Sequence, residues 1–446
     1  MVRLPESDLR CSLLTLKEYT YEYLTAANLL STQAYVDSGI LAPSGPAYKA
    51  LIFYNQTQIS EPAVQKLHEF ASAGLPILFV GGLPTNAIGT NGTSSSISEA
   101  FTSLVATYPQ VQVLSDSDAL LAHLQTLDMK PRAFLTDSSQ EIYTQWRSYI
   151  SDSLEAVLIF NKGLDKTISF EFTGVNNSVP YVLDAWTGKR TPLVTYNVTE
   201  AGISTSLDLK ANQTTILAFQ KSSRRPTHVV SSKQISAFST NNNTGIDAIA
   251  AESGVVTLSD GRVISVAATP FPSMTIGNWS LQVLSYHPSS NTSSTKNEVT
   301  TLDIGNLDAL KPWTEIPGLQ QVSGVGIYNS SFIFSWSPSG IAAYIDFGPV
   351  LNTIRVWVNN KRLPPIDISD PRTEISSHLG QGLNTICVEV SSTLFNAVKA
   401  RSNETTTAYV SVELTNAAFY EDNDYMPFGL LGPVVLTPMT RVALSV

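Results

Sequence analysis

Between Lys49 and Leu127 the apolar positions come in short continuous runs separated by stretches at helical spacing. Lys49 to Tyr54 (KALIFY) and Ile77 to Val80 are unbroken apolar runs, as strands buried on both faces require. Ser60-Glu61-Pro62 supplies an N-cap, a first-turn acid and a proline where a missing N–H costs nothing. Val64, Leu67 and Ala71 then repeat at helical spacing, and Gly74 ends the helix. The order continues with a helix around Ile97 to Ala106, a strand at Val111 to Leu114 and a helix from Asp118 to Leu127. Strand, helix, strand with continuous apolar strands predicts a small doubly wound parallel α/β domain.

Past residue 130 the period changes to two. Ala156 to Phe160, the alternating Ile168, Phe170 and Phe172, Val179 to Asp184, Gly202 to Leu209 and Thr214 to Phe219 are closely spaced strands, with Asp184-Ala185-Trp186-Thr187-Gly188 as a turn. That spacing predicts an antiparallel β-sandwich. Ser222 to Gly245 is polar and Ser/Asn-rich and reads as a linker, with Arg224-Arg225 solvated; His287 to Asn297 reads as an exposed loop. Between them lie strands at Gly254 to Leu258, Val263 to Ala267 and Trp279 to Tyr286.

The clearest alternation falls between Ala343 and Asn396. Ala343, Ile345 and Phe347 share one face, as do Ile354, Val356 and Val358, and Ile386, Val388 and Val390. Asn359-Asn360 tolerates the positive φ of a tight hairpin, and Gly380-Gln381-Gly382 breaks the chain before the third strand. This is an antiparallel β unit of a two-sheet sandwich.

With 446 residues, two to four domains are expected, and 43% hydrophobic against 14% charged residues is ample for full cores. A net charge of −10 disfavours nucleic acid and anionic membrane surfaces as partners. No run reaches the roughly 18 apolar residues of a membrane span. Cys11 and Cys387 are too few and too far apart for a disulfide scaffold or a cysteine-rich zinc site; Cys387 is expected to be a buried packing residue. Ten N-x-S/T sequons, at Asn55, Asn91, Asn176, Asn197, Asn212, Asn242, Asn278, Asn291, Asn329 and Asn403, favour a secreted, glycosylated protein. MVRLPESDLRC, by contrast, has no apolar signal-peptide core.

Two stretches carry a family resemblance. "YTYEYLTAANLL…AYVDSGILAPSGPAYKALIFYNQTQISEPAVQKLHEFASAGLPILFVGGLP", from Tyr19 to Pro84, resembles the region after the catalytic barrel in α-L-rhamnosidase-type enzymes of glycoside hydrolase family 106, where an amidotransferase-like α/β domain sits. "IDFG…IRVWVNNKRL…GQGLNTICVEV…LFN" resembles the galactose-binding-like jelly roll attached to many glycoside hydrolases, and "KPWTEIPGLQQVSGVGIYNSSFIFSW" and "FGLLGPVVLTP" are similar to the phrases that open and close it. "VLIFNKG" and "PYVLDAWTGKRTPL" resemble an accessory β-domain of such enzymes. The resemblance implies an α/β plus all-β chain: residues 1–18 a remnant of an upstream segment, 19–130 amidotransferase-like, 131–221 an accessory β-sandwich, and 222–446 a galactose-binding-like sandwich with an N-terminal linker. The family's paired catalytic glutamates and metal belong to a barrel upstream of Tyr19, and such a barrel takes about 250 residues. The chain is then expected to be the C-terminal part of a longer secreted enzyme, or a paralogue without the catalytic half.

No catalytic residue is assigned. His68, His123, His228, His287 and His378 form no metal-binding spacing, and there is no G-x-S-x-G elbow. Gly81-Gly82 lacks the rest of a phosphate-binding motif and reads as a tight turn; without a cysteine after its strand, the α/β domain cannot run amidotransferase chemistry. A glycosidase needs two carboxylates across a cleft, and Asp184, Asp346 and Asp367 lie in separate strands or turns, with Asp346 pointing outward by alternation. Trp186 and Trp357 are the aromatics that could stack on a sugar of a rhamnose-containing polysaccharide or glycoside, although a corner tryptophan packed on its own turn is the commoner role for Trp186. Glu421, Asp422 and Asp424 form an acidic cluster; such clusters are usually solvated, and calcium is the ion this oxygen donor set would suit. No other cofactor is expected in this chain. Three readings stay open: a non-catalytic part of a glycosidase, a free-standing carbohydrate-binding protein, and a hydrolase with an unrecognised site.

Overall fold

The computed structural model describes residues 19–88, 94–135, 141–149, 153–240, 245–289, 291, 293–294, 296–401, 420 and 422–445. Residues 1–18 with Cys11, the sequons at Asn91, Asn242 and Asn403, and Glu421 lie outside them. The chain forms two compact units, one of residues 1–182 and 197–225, the other of residues 183–196 and 226–446.

The α/β part of the first unit is built on β1 (Leu51–Tyr54), α1 (Glu61–Ser72), β2 (Ile77–Val80), α2 (Ser94–Thr107), β3 (Val111–Leu114) and α3 (Ser117–Thr126), preceded by a short helix at Ala26–Leu29 and a two-residue strand pair at Val36–Asp37 and Ile40–Leu41. β2 lies between β1 and β3, parallel to both. Its side chains divide as a doubly wound fold requires. Ile77 and Phe79 join the core with Val64, Leu67, Phe70, Phe101 and Leu104 of α1 and α2, while Leu78 and Val80 pack with Leu120 and Leu124 of α3. Pro62 sits in the first turn of α1, but the Ser60 side chain makes no capping bond, against expectation; the helix start rests on backbone geometry, with Glu61 in the first turn. Asp116 does cap α3, accepting from the N–H groups of Asp118 and Ala119 at 3.0 and 2.9 Å. Gly81 and Gly82 take φ of +82° and +118°, so the turn after β2 is built on backbone that favours glycine.

The same unit continues with β4 (Ala133–Leu135), β5 (Ile142–Tyr149), β6 (Leu154–Asn161), β7 (Lys166–Thr173), β8 (Ser178–Leu183), β9 (Asn197–Val198), β10 (Gly202–Leu209) and β11 (Thr214–Lys221). One sheet runs β8–β11–β6–β5 and the other β9–β10–β7–β4. Phe170, Phe172, Ile203, Leu217 and Phe219 are fully buried, and Trp146 stacks on Phe219 with centroids 5.6 Å apart.

The second unit contains β12 (Val229–Lys233), β13 (Ala237–Thr240), β14 (Ile246–Ala250), β15 (Gly254–Leu258), β16 (Val263–Val266), β17 (Met274–Ile276), β18 (Ser280–Pro288), β19 (Asn297–Asn306), β20 (Gly324–Phe334), β21 (Ile341–Asp346), β22 (Thr353–Val358), β23 (Lys361–Arg362), β24 (Arg372–Glu374), β25 (Gly382–Ser391), α4 (Phe395–Ala400) and β26 (Val434–Leu444). Its sheets run β12–β15–β16, β13–β14–β26–β21–β24 with β17 also on β26, and β19–β18–β20–β25–β22–β23. The stretch read as a linker therefore contains two strands. Val229 is wholly buried, and Arg225 is not free in solvent: its guanidinium donates to the carbonyls of Ser178 and Asn176. The strand at Ser280 also runs two residues further than expected, taking His287 and Pro288 out of the loop.

The alternating stretch 343–396 is divided between the two larger sheets. β21 pairs with β26 and β24, whereas β22 and β25 pair with each other in the facing sheet. All nine of its predicted inward residues are buried in one common core. The Asn359-Asn360 hairpin has φ of +50° and +61°, the doubly positive pair of a type I′ turn. Behind it, buried Asn384 accepts from Asn359 Nδ2 and the Gly380 N–H and donates to the carbonyls of Gly380 and Gly382, which fixes the turn before β25. In the centre, Trp313 Nε1 donates to the Tyr328 hydroxyl at 2.8 Å, and that hydroxyl accepts from the Leu430 N–H at 3.2 Å. A Cβ on Gly326 would meet Trp313 Cζ2 at 2.7 Å, and one on Gly429 would meet Trp313 Cδ1 at 2.7 Å. Gly326 of GVGIY and Gly429 of FGLLGP are thus spaces for one indole.

Candidate functional site

Trp186 sits on the turn Asp184–Gly188. Asp184 Oδ1 accepts from the N–H groups of Trp186 and Thr187 at 2.9 and 3.2 Å, its Oδ2 accepts from the Thr187 hydroxyl at 2.5 Å, and its N–H donates to the Lys189 carbonyl. Gly188 closes the turn at φ +70°. The backbone is held by the aspartate, so the ring is not needed to hold it. Trp186 is 45% exposed, which corrects the expectation of a packed corner residue. Lys189 and Arg190 beside it are also exposed.

Trp357 lies on the outer face of β22, half-buried. The guanidinium carbons of Arg355 and Arg362 stand 6.0 and 5.8 Å from its ring centroid, within cation–π range. Arg355 pairs with Glu389 of β25 at 2.5 Å. Trp357 is registered opposite Cys387, and Cys387 opposite Asn329 of β20. Cys387 is half-buried on this outer face, a correction to the expected buried position: alternation puts it opposite the core that Ile386 and Val388 enter. Burial, followed by the Glu389 charge, pushes its thiol pKa up, which disfavours the reactive thiolate.

Asp422 and Asp424 are both exposed, in a segment tied down by other groups. Wholly buried Asn396 exchanges two bonds with the Met426 backbone at 2.9 and 2.8 Å; Lys399 donates to the Tyr420 carbonyl and lies 5.2 Å from the Tyr425 ring. Among the described residues no group of three His, Cys, Asp or Glu is placed to hold a metal ion.

The carboxylates considered for catalysis serve local turns. Asp184 holds its own turn, the exposed Asp346 accepts from the Gly348 N–H, and Asp367 accepts from the N–H and hydroxyl of Ser369. An acid the sequence did not point to accepts as many bonds as Asp184. Glu155 Oε2 accepts from Arg132 at 2.6 Å, Trp146 Nε1 at 2.5 Å and Ser148 at 3.0 Å, and the Arg132 guanidinium stacks 4.2 Å from the Trp146 ring. Burial pushes the Glu155 pKa up, but those donors and the Arg132 charge outweigh it and hold the carboxyl below its ordinary value. This is a closed structural ion cluster.

The seven sequon asparagines among the described residues (Asn55, Asn176, Asn197, Asn212, Asn278, Asn291 and Asn329) are all exposed. The wholly buried asparagines, Asn161, Asn384 and Asn396, all lie outside sequons. Among the described residues no helix is long and apolar enough to cross a membrane. Neither the arginines flanking Trp357 nor the lysine at the acidic segment was read from the sequence. The i, i+2 spacing of Arg355 and Trp357 was an available signal; the partners on β23, β25 and α4 required the fold.

Neither a family model nor a curated protein matches this sequence. Among solved structures, 94% of the chain superposes on a rhamnosidase from Novosphingobium sp. PP1Y, with a TM-score of 0.60 and 18% identity. The chain spans 36% of the length of that enzyme. An FMN-binding β-glucuronidase from Facaelibacterium prausnitzii L2-6 (15% identity, 37% of this chain and 22% of that one) gives a TM-score of 0.22. An exo-carrageenase GH42 from Bacteroides ovatus (11% identity, 48% and 26%) gives 0.29. Scores that low carry no argument. The rhamnosidase superposition shows a fold shared with part of a glycoside hydrolase.

Proposed function

We propose that this chain is a non-catalytic portion of a secreted α-L-rhamnosidase-like glycoside hydrolase of the family 106 type, which braces a catalytic barrel and contacts carbohydrate. One observation carries the reading: 94% of the chain follows a rhamnosidase fold while spanning 36% of that enzyme. The α/β region is then the amidotransferase-like domain, and the two-sheet core around Trp313 the galactose-binding-like jelly roll. Support for a non-catalytic role comes from the carboxylates, since Asp184, Asp346, Asp367 and Glu155 are each bound to local partners. Two carboxyl groups facing across a cleft are what hydrolysis of a glycoside requires. The exposure of every described sequon asparagine supports a glycosylated, secreted chain. The exposed Trp186 ring, on a turn made rigid by Asp184, supports contact with a rhamnose-containing polysaccharide or glycoside. Calcium remains the ion proposed for the acidic segment, through Glu421, Asp422 and Asp424. Purified chain incubated with an aryl α-L-rhamnoside tests the reading: no release of the aryl alcohol is expected, and sustained release would contradict it.

A further inference from the structure

The outer face of the sheet β19–β18–β20–β25–β22–β23 carries a sequon asparagine and a half-buried tryptophan in one cross-strand row. Asn329, Cys387 and Trp357 are successive register partners on β20, β25 and β22. Asn329 is exposed and alternates with wholly buried Tyr328, so it stands on the outer side with Trp357. Strands in a sheet lie about 4.8 Å apart, so the two side chains are separated by about 10 Å along the row. Between them the floor is the small Cys387 side chain, and the wall on one side is the Arg355–Glu389 ion pair.

We infer that an N-linked glycan on Asn329 lies down along this row, with its first two sugars over Cys387 and Trp357, and that this seat is Trp357's role. The chemistry fits on each side. The N-acetyl methyl and ring C–H faces of N-acetylglucosamine suit the indole and thiol, while its hydroxyls meet Arg355, Glu389 and Arg362. On the opposite side of Asn329 the register partner is Ser280, which offers no apolar floor. Attachment itself is ordinary group transfer: Asn329 Nδ2 bonds to the sugar C1 of a lipid-linked oligosaccharide donor, the C1–phosphate bond breaks, a lipid diphosphate leaves and the amide gives up one proton.

The inference rests on the secreted, glycosylated reading, and one experiment separates their failures. The full chain is secreted from a eukaryotic host as wild type and as Ser331→Ala, which removes the sequon without touching Asn329 or Trp357. Glycopeptide mass spectrometry reads occupancy at every sequon, and hydroxyl-radical footprinting reads oxidation of Trp357. The expected result is occupancy at Asn329 and several-fold less Trp357 oxidation in wild type than in Ser331→Ala, with Trp186 oxidised equally in both. Glycan at Asn212 or Asn278 but none at Asn329 would overturn this inference alone. Occupied Asn329 with equal Trp357 oxidation would overturn it too. No glycan at any sequon would overturn the glycosylated reading beneath it.

Discussion

Glu155 of β6 is held by Arg132, Trp146 and Ser148 with no sequence motif around it. Three donors converge on one of its oxygens, and removing the charge leaves the Arg132 guanidinium without its anion. Glu155→Gln is expected to lower stability by about 2 kcal/mol in urea denaturation, since breaking a partly buried pair strands the remaining charge. The pH sign follows from its lowered pKa. The contribution is fully present above the ordinary glutamate range and is lost as pH falls through the folded-state value, so wild type and Glu155→Gln should converge in stability under acid. Divergence on acidification would contradict the assignment. Trp186 gives the opposite case. Its ring does not hold the turn, so Trp186→Ala should leave the melting temperature unchanged while weakening binding to a rhamnose-containing polysaccharide about fivefold, or about 1 kcal/mol, by isothermal titration. An unchanged affinity would remove Trp186 from the proposed contact surface.

At the scale of elements, alternation was legible wherever one face is buried and the other wet. The inward sets of β21, β22 and β25 could be named residue by residue, and the tight positive-φ hairpin at Asn359-Asn360 as well. Membership of a sheet was not legible, because period two fixes which face a side chain takes and says nothing about which strand lies beside it. Hence β21 falls in one sheet and β22 with β25 in the other. Polar composition misled between Ser222 and Gly245, where β12 pairs with β15 and β13 with the next strand, β14, and where Val229, Ala237 and Phe238 pack against side chains as distant in sequence as Met439 and Leu444. The candidate site was legible as single aromatics; the Asp184 bonds that hold the Trp186 turn are local to residues 184–189, whereas the placement of Arg362 and of the Arg355–Glu389 pair around Trp357 depends on tertiary structure. The glycines around Trp313 give the test at this scale. Gly326→Ala forces a methyl to within 2.7 Å of Trp313 Cζ2. It is expected to cost about 1–3 kcal/mol, as overpacking does, read as a lower urea midpoint with an unchanged slope. A neutral outcome would show that the indole can move aside.

For the molecule as a whole, the arrangement is a parallel α/β region and antiparallel sandwiches that follow a rhamnosidase fold over 94% of the chain. Fold alone does not transmit activity; the chemistry lives in residues at a site. Asp184, Asp346, Asp367 and Glu155 are each bound to local partners, and the proposal made on that basis is that this chain does not hydrolyse glycosides by itself. The most direct measurement is turnover of an aryl α-L-rhamnoside by purified wild type alongside Asp184→Asn, Asp346→Asn, Asp367→Asn and Glu155→Gln. No turnover by wild type and no difference among the variants are expected. Wild-type turnover that collapses in any one of them would contradict the proposal and would identify the carboxylate responsible.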